Sequence, residues 1–507
     1  MVKHFVILGY GLTGRSILNF LIKKYNKLQI SIYEEKILSK KALEDLESLN
    51  VTINICNNFE SVKKNIHNLN RCDLVITSPG IKPEKFQLLL KDYKVVSDLE
   101  LFSEEIREDS NKVFAITGTN GKSTVCQLLG YLLENYNKSN KKHDINTAVA
   151  VGGNYGVPVL DFLDYSDKQK YYSDYVLELS SYQLALTEHF SSLAAVCLNI
   201  SVDHLDWHGT YYQYIFDKLK IYRNSSYNIV NLDQESLLNY YKQYINSNRI
   251  GYTLLNYNKL NYNNLADQKL LAVFNIQDNV ICLNNNKIIS VSDLPDVLQA
   301  RHNLSNFLAV LGLLYAKYLY NKSLNSIDEP VVNYLKLYLT NIANYKGLPH
   351  RCQLIAEHQN IQVINDSKST NLDATLTAIN SIKIKNKGRI WLILGGLIKE
   401  DVDDKASQDL FLSSLDNKIA EVIVFGKSPE MRLKLLNLVK NKQGITEITE
   451  TNGELALAKI IKDIFSKAQP NDTILFSPGC ASFDMFNNYI HRGEMFCRKI
   501  EEYVSNN

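Results

Sequence analysis

Residues 113–116, Val-Phe-Ala-Ile, run into Thr117-Gly118-Thr119-Asn120-Gly121-Lys122-Ser123-Thr124, and Leu128, Leu129, Leu132 and Leu133 follow with helical spacing. A short apolar run bounded by glycines reads as a strand, and the leucine spacing gives one apolar helix face. The region is therefore strand, glycine turn, helix. That order is βαβ grammar, which commits the chain to a mostly parallel sheet.

The same grammar opens the chain. Residues 5–8 read as a strand, 16–24 as a helix, 29–33 and 73–77 as further strands, the last closed by Ser78-Pro79-Gly80. After the central loop, 175–179 and 194–200 read as strands. A third series lies at 361–364, 390–394, 422–425 and 473–476, several ending in Gly or Pro-Gly, where open α/β sheets take their ligands. A chain of 507 residues exceeds one ordinary core. The expected architecture is α/β with mostly parallel sheets in three domains, at 1–97, 98–347 and 348–507. Residues 138–146 and the Asn/Tyr-rich 256–264 read as exposed loops or insertions.

Lys plus Arg number 56 and Asp plus Glu 54, so no global field draws nucleic acid or an anionic membrane; any phosphate site must be local. Eight scattered cysteines show no CxxC spacing and read as reduced thiols of a cytoplasmic protein. No apolar run suits a signal sequence or a membrane span.

The central turn suits phosphate. Gly118 and Gly121 let the backbone N–H groups of Thr119 and Asn120 approach oxygens, and the helix N-terminus adds partial positive charge. Lys122 would reach the terminal phosphates, and Ser123 or Thr124 would offer a hydroxyl to Mg²⁺. The strict P-loop pattern fails, because Ile116 stands where its first glycine belongs. Gly9-Tyr10-Gly11-Leu12-Thr13-Gly14 is a literal GxGxxG after a strand, with Glu34 ending the next strand. Taken alone it raises a rival reading, an NAD- or FAD-dependent oxidoreductase. Glu178 at a strand end could face Mg²⁺ beside the phosphate loop. His204 and His208 lie four apart, but Leu205 replaces the Glu a zinc protease needs. Asn303 and Asn306 share one helical face and could read a base edge or cap a helix. Asp366 could take a ribose or cap a helix.

The string TGTNGKST is similar to the nucleotide loop of the Mur ligase and folylpolyglutamate synthetase family, and the resemblance extends over essentially the whole chain. It is nearest the branch that adds D-glutamate to UDP-N-acetylmuramoyl-L-alanine with ATP and Mg²⁺ in the cytoplasm. The resemblance implies a Rossmann-like N-terminal UDP-sugar domain at 1–97, a central P-loop-type ATPase domain at 98–347 and a Rossmann-like C-terminal amino-acid domain at 348–507; a monomer is expected, and the charge balance and hydropathy give no nucleic-acid partner and no membrane insertion. It implies UDP-sugar contacts at Leu12, Thr13, Glu34, Lys36, Ser78, Gly80 and Asn154. It places Glu178, His204 and a carbamylated Lys218, within Asp217-Lys218-Leu219-Lys220, at the magnesium site with Ser123 and Thr124. Asn303 and Asn306 match the adenine contact of the family; Arg351 would meet phosphate and Asp366 the ribose. Lys368, Thr370, Lys399, Ser482, Phe483 and Tyr489 would hold D-glutamate, with Tyr489 where Phe is common. Lys122, His204, Lys218, Arg351 and Lys368 carry the implied catalytic roles. A non-catalytic nucleotide-binding regulator on the same scaffold is the third reading, against which the retained Lys122, Glu178, His204 and Lys218 stand.

Overall fold

The structure is a computed structural model that describes residues 2–49, 51–68, 72–87, 89, 91–139, 148–163, 172–234, 237, 240, 248–256, 270–382, 384, 388–398, 415, 418–440 and 444–506. The expected insertions at 138–146 and 256–264 fall almost wholly outside the described residues. Among the described residues, strands gather into three sheets.

The first sheet is parallel throughout. It joins β1 (Lys3–Leu8), β2 (Leu28–Tyr33), β3 (Thr52–Cys56), β4 (Leu74–Thr77) and β5 (Val95–Ser97) in the order β3-β2-β1-β4-β5. The order reverses at β1, so the loops after β1 and β4 flank a crevice of the kind that takes ligands. Helix α1 (Leu12–Lys24) leaves the first of these loops and buries Ile17, Leu18, Phe20 and Leu21.

The second sheet joins β6 (Val113–Thr117), β7 (Val149–Gly153), β8 (Asp174–Glu178), β9 (Ser192–Cys197), β10 (Ser225–Asn231), β11 (Arg249–Tyr252), β12 (Leu270–Gln277), β13 (Val280–Leu283) and β14 (Asn286–Ser290). Their order is β14-β13-β12-β11-β10-β9-β6-β8-β7, antiparallel only across β12, β13 and β14. Every residue of β6, β8 and β9 is buried, as expected of strands covered on both faces. Helix α2 (Lys122–Ser139) buries Val125, Cys126, Leu128, Leu129, Leu132 and Leu133. Two of the expected strands end early. The run at 175–179 stops at Glu178 and the run at 194–200 at Cys197, because both chains turn there into loops beside the phosphate loop.

The third sheet joins β15 (Gln353–His358), β16 (Ile361–Asn365), β17 (Ile390–Gly395), β18 (Ile419–Phe425), β19 (Ile445–Ile448) and β20 (Thr473–Phe476) in the order β15-β16-β20-β17-β18-β19. Only β15 is antiparallel. The chain forms two compact units. One holds the first two sheets (residues 1–295 and 303–345), the other the third sheet (296–302 and 346–507). Within the first unit one buried cluster runs from Ile7 and Ile17 through Phe102 to Tyr175 and Leu177. No helix among the described residues is long and apolar enough to cross a membrane.

Candidate active site

The loop after β6 is tight because two of its glycines adopt conformations closed to other residues. Gly118 has φ 148° and Gly121 φ 86°. A Cβ at Gly121 would stand 2.5 Å from Asn306 Oδ1. The loop is cross-braced to the segment after β9: Thr119 N donates to Asn199 O and Asn120 N to Asn199 Oδ1, both at 2.9 Å, and Asn199 Nδ2 returns a bond to Asn120 O at 3.0 Å. Thr119 Oγ1 and the Tyr214 hydroxyl lie 2.9 Å apart. Asn199 and Tyr214 were not singled out from sequence; a polar residue after a buried strand and a Tyr among several carry no distinguishing signal.

Two ammonium groups meet on one carbonyl. Lys122 Nζ donates to Gly118 O and Thr119 O at 2.8 Å each, and Lys218 Nζ donates to Gly118 O at 2.9 Å. Lys218 lies on helix α4 (Tyr211–Leu219), fully buried, over the Tyr214 ring. Burial, and then the charge of Lys122, lower its pKa to about 7. A large share of the amine is thus uncharged near pH 7.

Glu178 ends β8 beside α2. Ser123 Oγ donates to its Oε2 at 2.5 Å and Asn154 Nδ2 to its Oε1 at 2.8 Å, while Asn154 N donates to Glu178 O. Thr124, half-buried, follows Ser123 on the helix. Ser123 and Glu178 therefore present hard oxygens next to the phosphate loop. That set fits Mg²⁺, which takes one or two carboxylates and completes its shell with water and phosphate. It fits no metal held by protein alone: among the described residues no three His, Cys, Asp or Glu groups gather as a metal cage.

His204 caps the short helix α3 (Leu205–His208) in the left-handed conformation, φ 55°, with its Nδ1 3.4 Å from Asp203 and its ring 5.0 Å from Tyr182. His208 is different. Its Nδ1 meets Asp217 Oδ2 and its Nε2 meets Ser181 Oγ, both at 2.9 Å, in a buried site. Both ring nitrogens are spent, so the zinc pairing of His204 with His208 fails. Asn303 and Asn306 lie in helix α5 (Arg301–Ser323), with Asn306 Nδ2 donating to Asn303 Oδ1 at 3.2 Å.

In the first sheet the GxGxxG turn packs against α1: a Cβ at Gly14 would come within 2.0 Å of Gly9 O. Glu34 reaches into that turn. Its Oε2 accepts from Tyr10 N at 2.8 Å and its Oε1 from Lys36 N at 3.2 Å. The carboxylate thus caps backbone first, which weakens the ribose role the dinucleotide reading gives it. Ser78 and Gly80 lie in the turn after β4, Ser78 Oγ donating to Gly9 O at 3.1 Å. Leu12, beside Thr13 in the first turn of α1, is largely exposed.

In the second unit the loops after β16, β17 and β20 meet the start of helix α6 (Tyr489–Asn506). Asp366 is buried; its Oδ2 accepts from Ser477 Oγ at 2.7 Å and its Oδ1 from Cys352 N at 3.1 Å. Burial raises its pKa to about 6, against the lowering pull of those bonds and of the nearby Arg351. Lys368 Nζ sits 4.0 Å from the centre of the Tyr489 ring. Thr370 is half-buried, Ser482 buried and Phe483 70% exposed. Lys399 lies outside the described residues.

Arg492, to which no role was given from sequence, binds these loops together. Fully buried, it donates from Nη2 to Ser367 O at 2.8 Å, from Nε to Ser367 Oγ at 3.1 Å and from Nη1 to Cys480 O at 3.0 Å and Gly395 O at 3.4 Å. Burial lowers its pKa to about 10. These bonds flank Lys368 and Ser482. The sequence signal of Arg492 was the string His491-Arg492-Gly493 after Tyr489, which resembles the D-glutamate-adding branch but assigns Arg492 no contact.

Three family models match the chain: the Mur ligase MurD-like N-terminal domain at residues 3–94, the Mur ligase middle domain at 116–314 and the Mur ligase glutamate ligase domain at 350–480. The UDP-N-acetylmuramoylalanine–D-glutamate ligase of Buchnera aphidicola subsp. Baizongia pistaciae is 32% identical over 99% of this chain and 98% of its own length. The protein of the same name from Vibrio cholerae is 30% identical over 99% of both. The chain belongs to the Mur ligase family. Its fold is similar to that of the UDP-N-acetylmuramate-alanine ligase of Thermotoga maritima, with a TM-score of 0.55 at 17% identity over the full length of both chains.

Replacing Arg492 with Met keeps the length of the side chain but strands buried acceptors on three loops. The expected cost is about 2–4 kcal/mol, since bonds to a charged donor are the stronger ones. Chemical denaturation of the full chain checks it; a variant as stable as wild type contradicts the bridging role.

Proposed function

We propose that this protein is an ATP-dependent ligase that adds D-glutamate to UDP-N-acetylmuramoyl-L-alanine, making a precursor of peptidoglycan. The observation that carries this reading is end-to-end similarity to proteins named for that reaction. The loop geometry supports the chemistry. The protein works as a cytoplasmic monomer divided at 1–97, 98–347 and 348–507 into UDP-sugar, ATP and amino-acid domains; the three sheets support that division.

The UDP-sugar lies on the first sheet's loops, at Leu12, Thr13, Glu34, Lys36, Ser78 and Gly80, with Asn154 from the second sheet. The glycine loop from Gly118 to Gly121 and the start of α2 take the ATP phosphates, with the N–H groups of Thr119 and Asn120 fixing the loop on Asn199. Asn303 and Asn306 contact adenine, and Asp366 the ribose. Lys122 gives up the Gly118 and Thr119 carbonyls for the γ-phosphate. Ser123, Thr124, Glu178, His204 and Lys218 would hold Mg²⁺, whose positive charge, when bound, would offset the negative charge of the phosphates. Carbamylation converts Lys218 from a cation into an anion suited to that role, and its depressed pKa supports this, because the neutral amine is the form that reacts.

The alanyl carboxylate attacks the γ-phosphorus, giving an acyl phosphate and ADP. Lys122 and Arg351 stabilise charge on the transferred group. Lys368, Thr370, Lys399, Ser482, Phe483 and Tyr489 hold D-glutamate, a cation and hydroxyls facing its two carboxylates. Its amine attacks the acyl carbon and phosphate leaves.

Phosphate release from ATP and Mg²⁺ with UDP-N-acetylmuramoyl-L-alanine is expected with D-glutamate alone among a panel of amino acids. Release with a different amino acid overturns the pocket assignment, and none with any overturns the reading. Lys122→Ala is expected to lose more than about a hundredfold in kcat; near-normal turnover removes its role. Isotope-labelled bicarbonate is expected to give a carbamate carbon signal in the wild type that Lys218→Ala lacks. A signal unchanged by that substitution, or absent from both, contradicts the modification.

A further inference from the structure

We propose that Trp207 is a positioning residue that sets the loops taking the UDP-sugar against the phosphate loop. The inference rests on the functional reading above, whose roles leave Trp207 unused.

The two loops of the first sheet form one body. Ser78 N donates to Leu8 O at 2.8 Å, Ser78 Oγ to Gly9 O at 3.1 Å, and Ile81 N closes the turn on Ser78 O at 3.1 Å. A Cβ on Gly9 would lie 3.2 Å from Ser78 Cβ and 3.3 Å from Ile81 Cγ1, so the loops interlock. Trp207 reaches this body from the second sheet's side. Its Nε1 donates to Ile81 O at 3.1 Å, and its ring packs half-buried on the first sheet's apolar cluster beside Ile81 and Leu186. Lys82 and Asp206 pair at 3.0 Å over the same seam, but both are largely exposed and such pairs contribute little.

From Trp207 the contacts continue to the phosphates' expected position. The Trp207 ring lies 4.5 Å from that of His208 and 4.9 Å from that of Tyr182. His208 is fixed by Asp217 and Ser181. Lys218 follows Asp217 and donates to Gly118 O. An unbroken series of packed and bonded groups thus joins the turn at 78–81 to the phosphate loop, and the indole N–H is a polar link in it where it passes between sheets.

The placement has a chemical consequence. A loop held in its binding geometry before the ligand arrives need not be ordered on binding, and a loosened one costs affinity for its own ligand alone. One reactant is held by the first sheet's loops and the other by the second's. A residue that fixes the turn at 78–81 therefore governs how well the UDP-sugar is presented.

Trp207→Phe keeps a ring for packing and removes the N–H donor. It is expected to raise KM for UDP-N-acetylmuramoyl-L-alanine about fivefold, the worth of one neutral hydrogen bond, with KM for ATP and D-glutamate unchanged. A loss of folded protein lowers the apparent kcat without that selective change. The chain has two tryptophans, Trp207 and Trp391, so Trp391→Phe leaves Trp207 as the sole indole. Its emission is expected to shift as the UDP-sugar saturates the enzyme. This second measurement decides alone where Trp207→Phe does not fold. An unaltered KM for the UDP-sugar in Trp207→Phe, or an emission indifferent to it, overturns the inference while an active wild type keeps the functional reading. A wild type inactive with these substrates overturns both.

Discussion

Gly118 O accepts hydrogen bonds from Lys122 and Lys218 at once, and much of the central unit is arranged around that crowding of positive charge. Two ammonium groups on one neutral carbonyl repel each other, and one of them is sealed from water. Burial and the charge of Lys122 lower the pKa of Lys218 to about 7, so loss of its proton relieves part of that repulsion at neutral pH. Glu178, the nearby acid, is occupied by Ser123 and Asn154. A polyanion at this loop would meet both lysines together. On helix α4, Asp217 beside Lys218 is tied to His208 and Lys220. A histidine that looks like a metal ligand in the sequence serves as an anchor instead.

The second unit solves an opposite problem. The proposed D-glutamate pocket draws on several loops, and loops on three different strands do not hold one another. Arg492 does so by offering its fork of donors to Ser367, Gly395 and Cys480, all neutral acceptors. Its charge remains unneutralised by any of these bonds, so it also favours anions nearby. Lys368 adds to this, resting on the face of Tyr489. Substituting Tyr where Phe is common keeps the ring face that the lysine uses.

Most of the parallel framework was legible because β1, β6, β17, β18 and β20 are short apolar runs that end in glycine or a turn. The phosphate loop was legible because its glycines, lysine and hydroxyls stand next to one another in sequence. The antiparallel additions were not. Strands β12 to β14 turn at Asp278-Asn279 and Asn284-Asn285, and β15 turns into β16 at Gln359-Asn360, all with positive φ. Such pairs suit the primed turns of two-residue hairpins, yet in a chain so rich in Asn they look like surface loop. The site was legible where residues are contiguous and illegible where they converge. Asn199, Trp207 and Arg492 owe their roles to neighbours distant in sequence, and their own types announce nothing.

One chemical step carries the proposed function: phosphorylation of the alanyl carboxylate at the loop that holds Lys122 and Lys218. The most direct test is to label both oxygens of that carboxylate with heavy oxygen and to weigh the phosphate released in a complete reaction with ATP and D-glutamate. An acyl phosphate passes one labelled oxygen to each phosphate released, and that is the expected result. Unlabelled phosphate with product formed would mean that the carboxylate never joined the phosphoryl group, and would contradict the account.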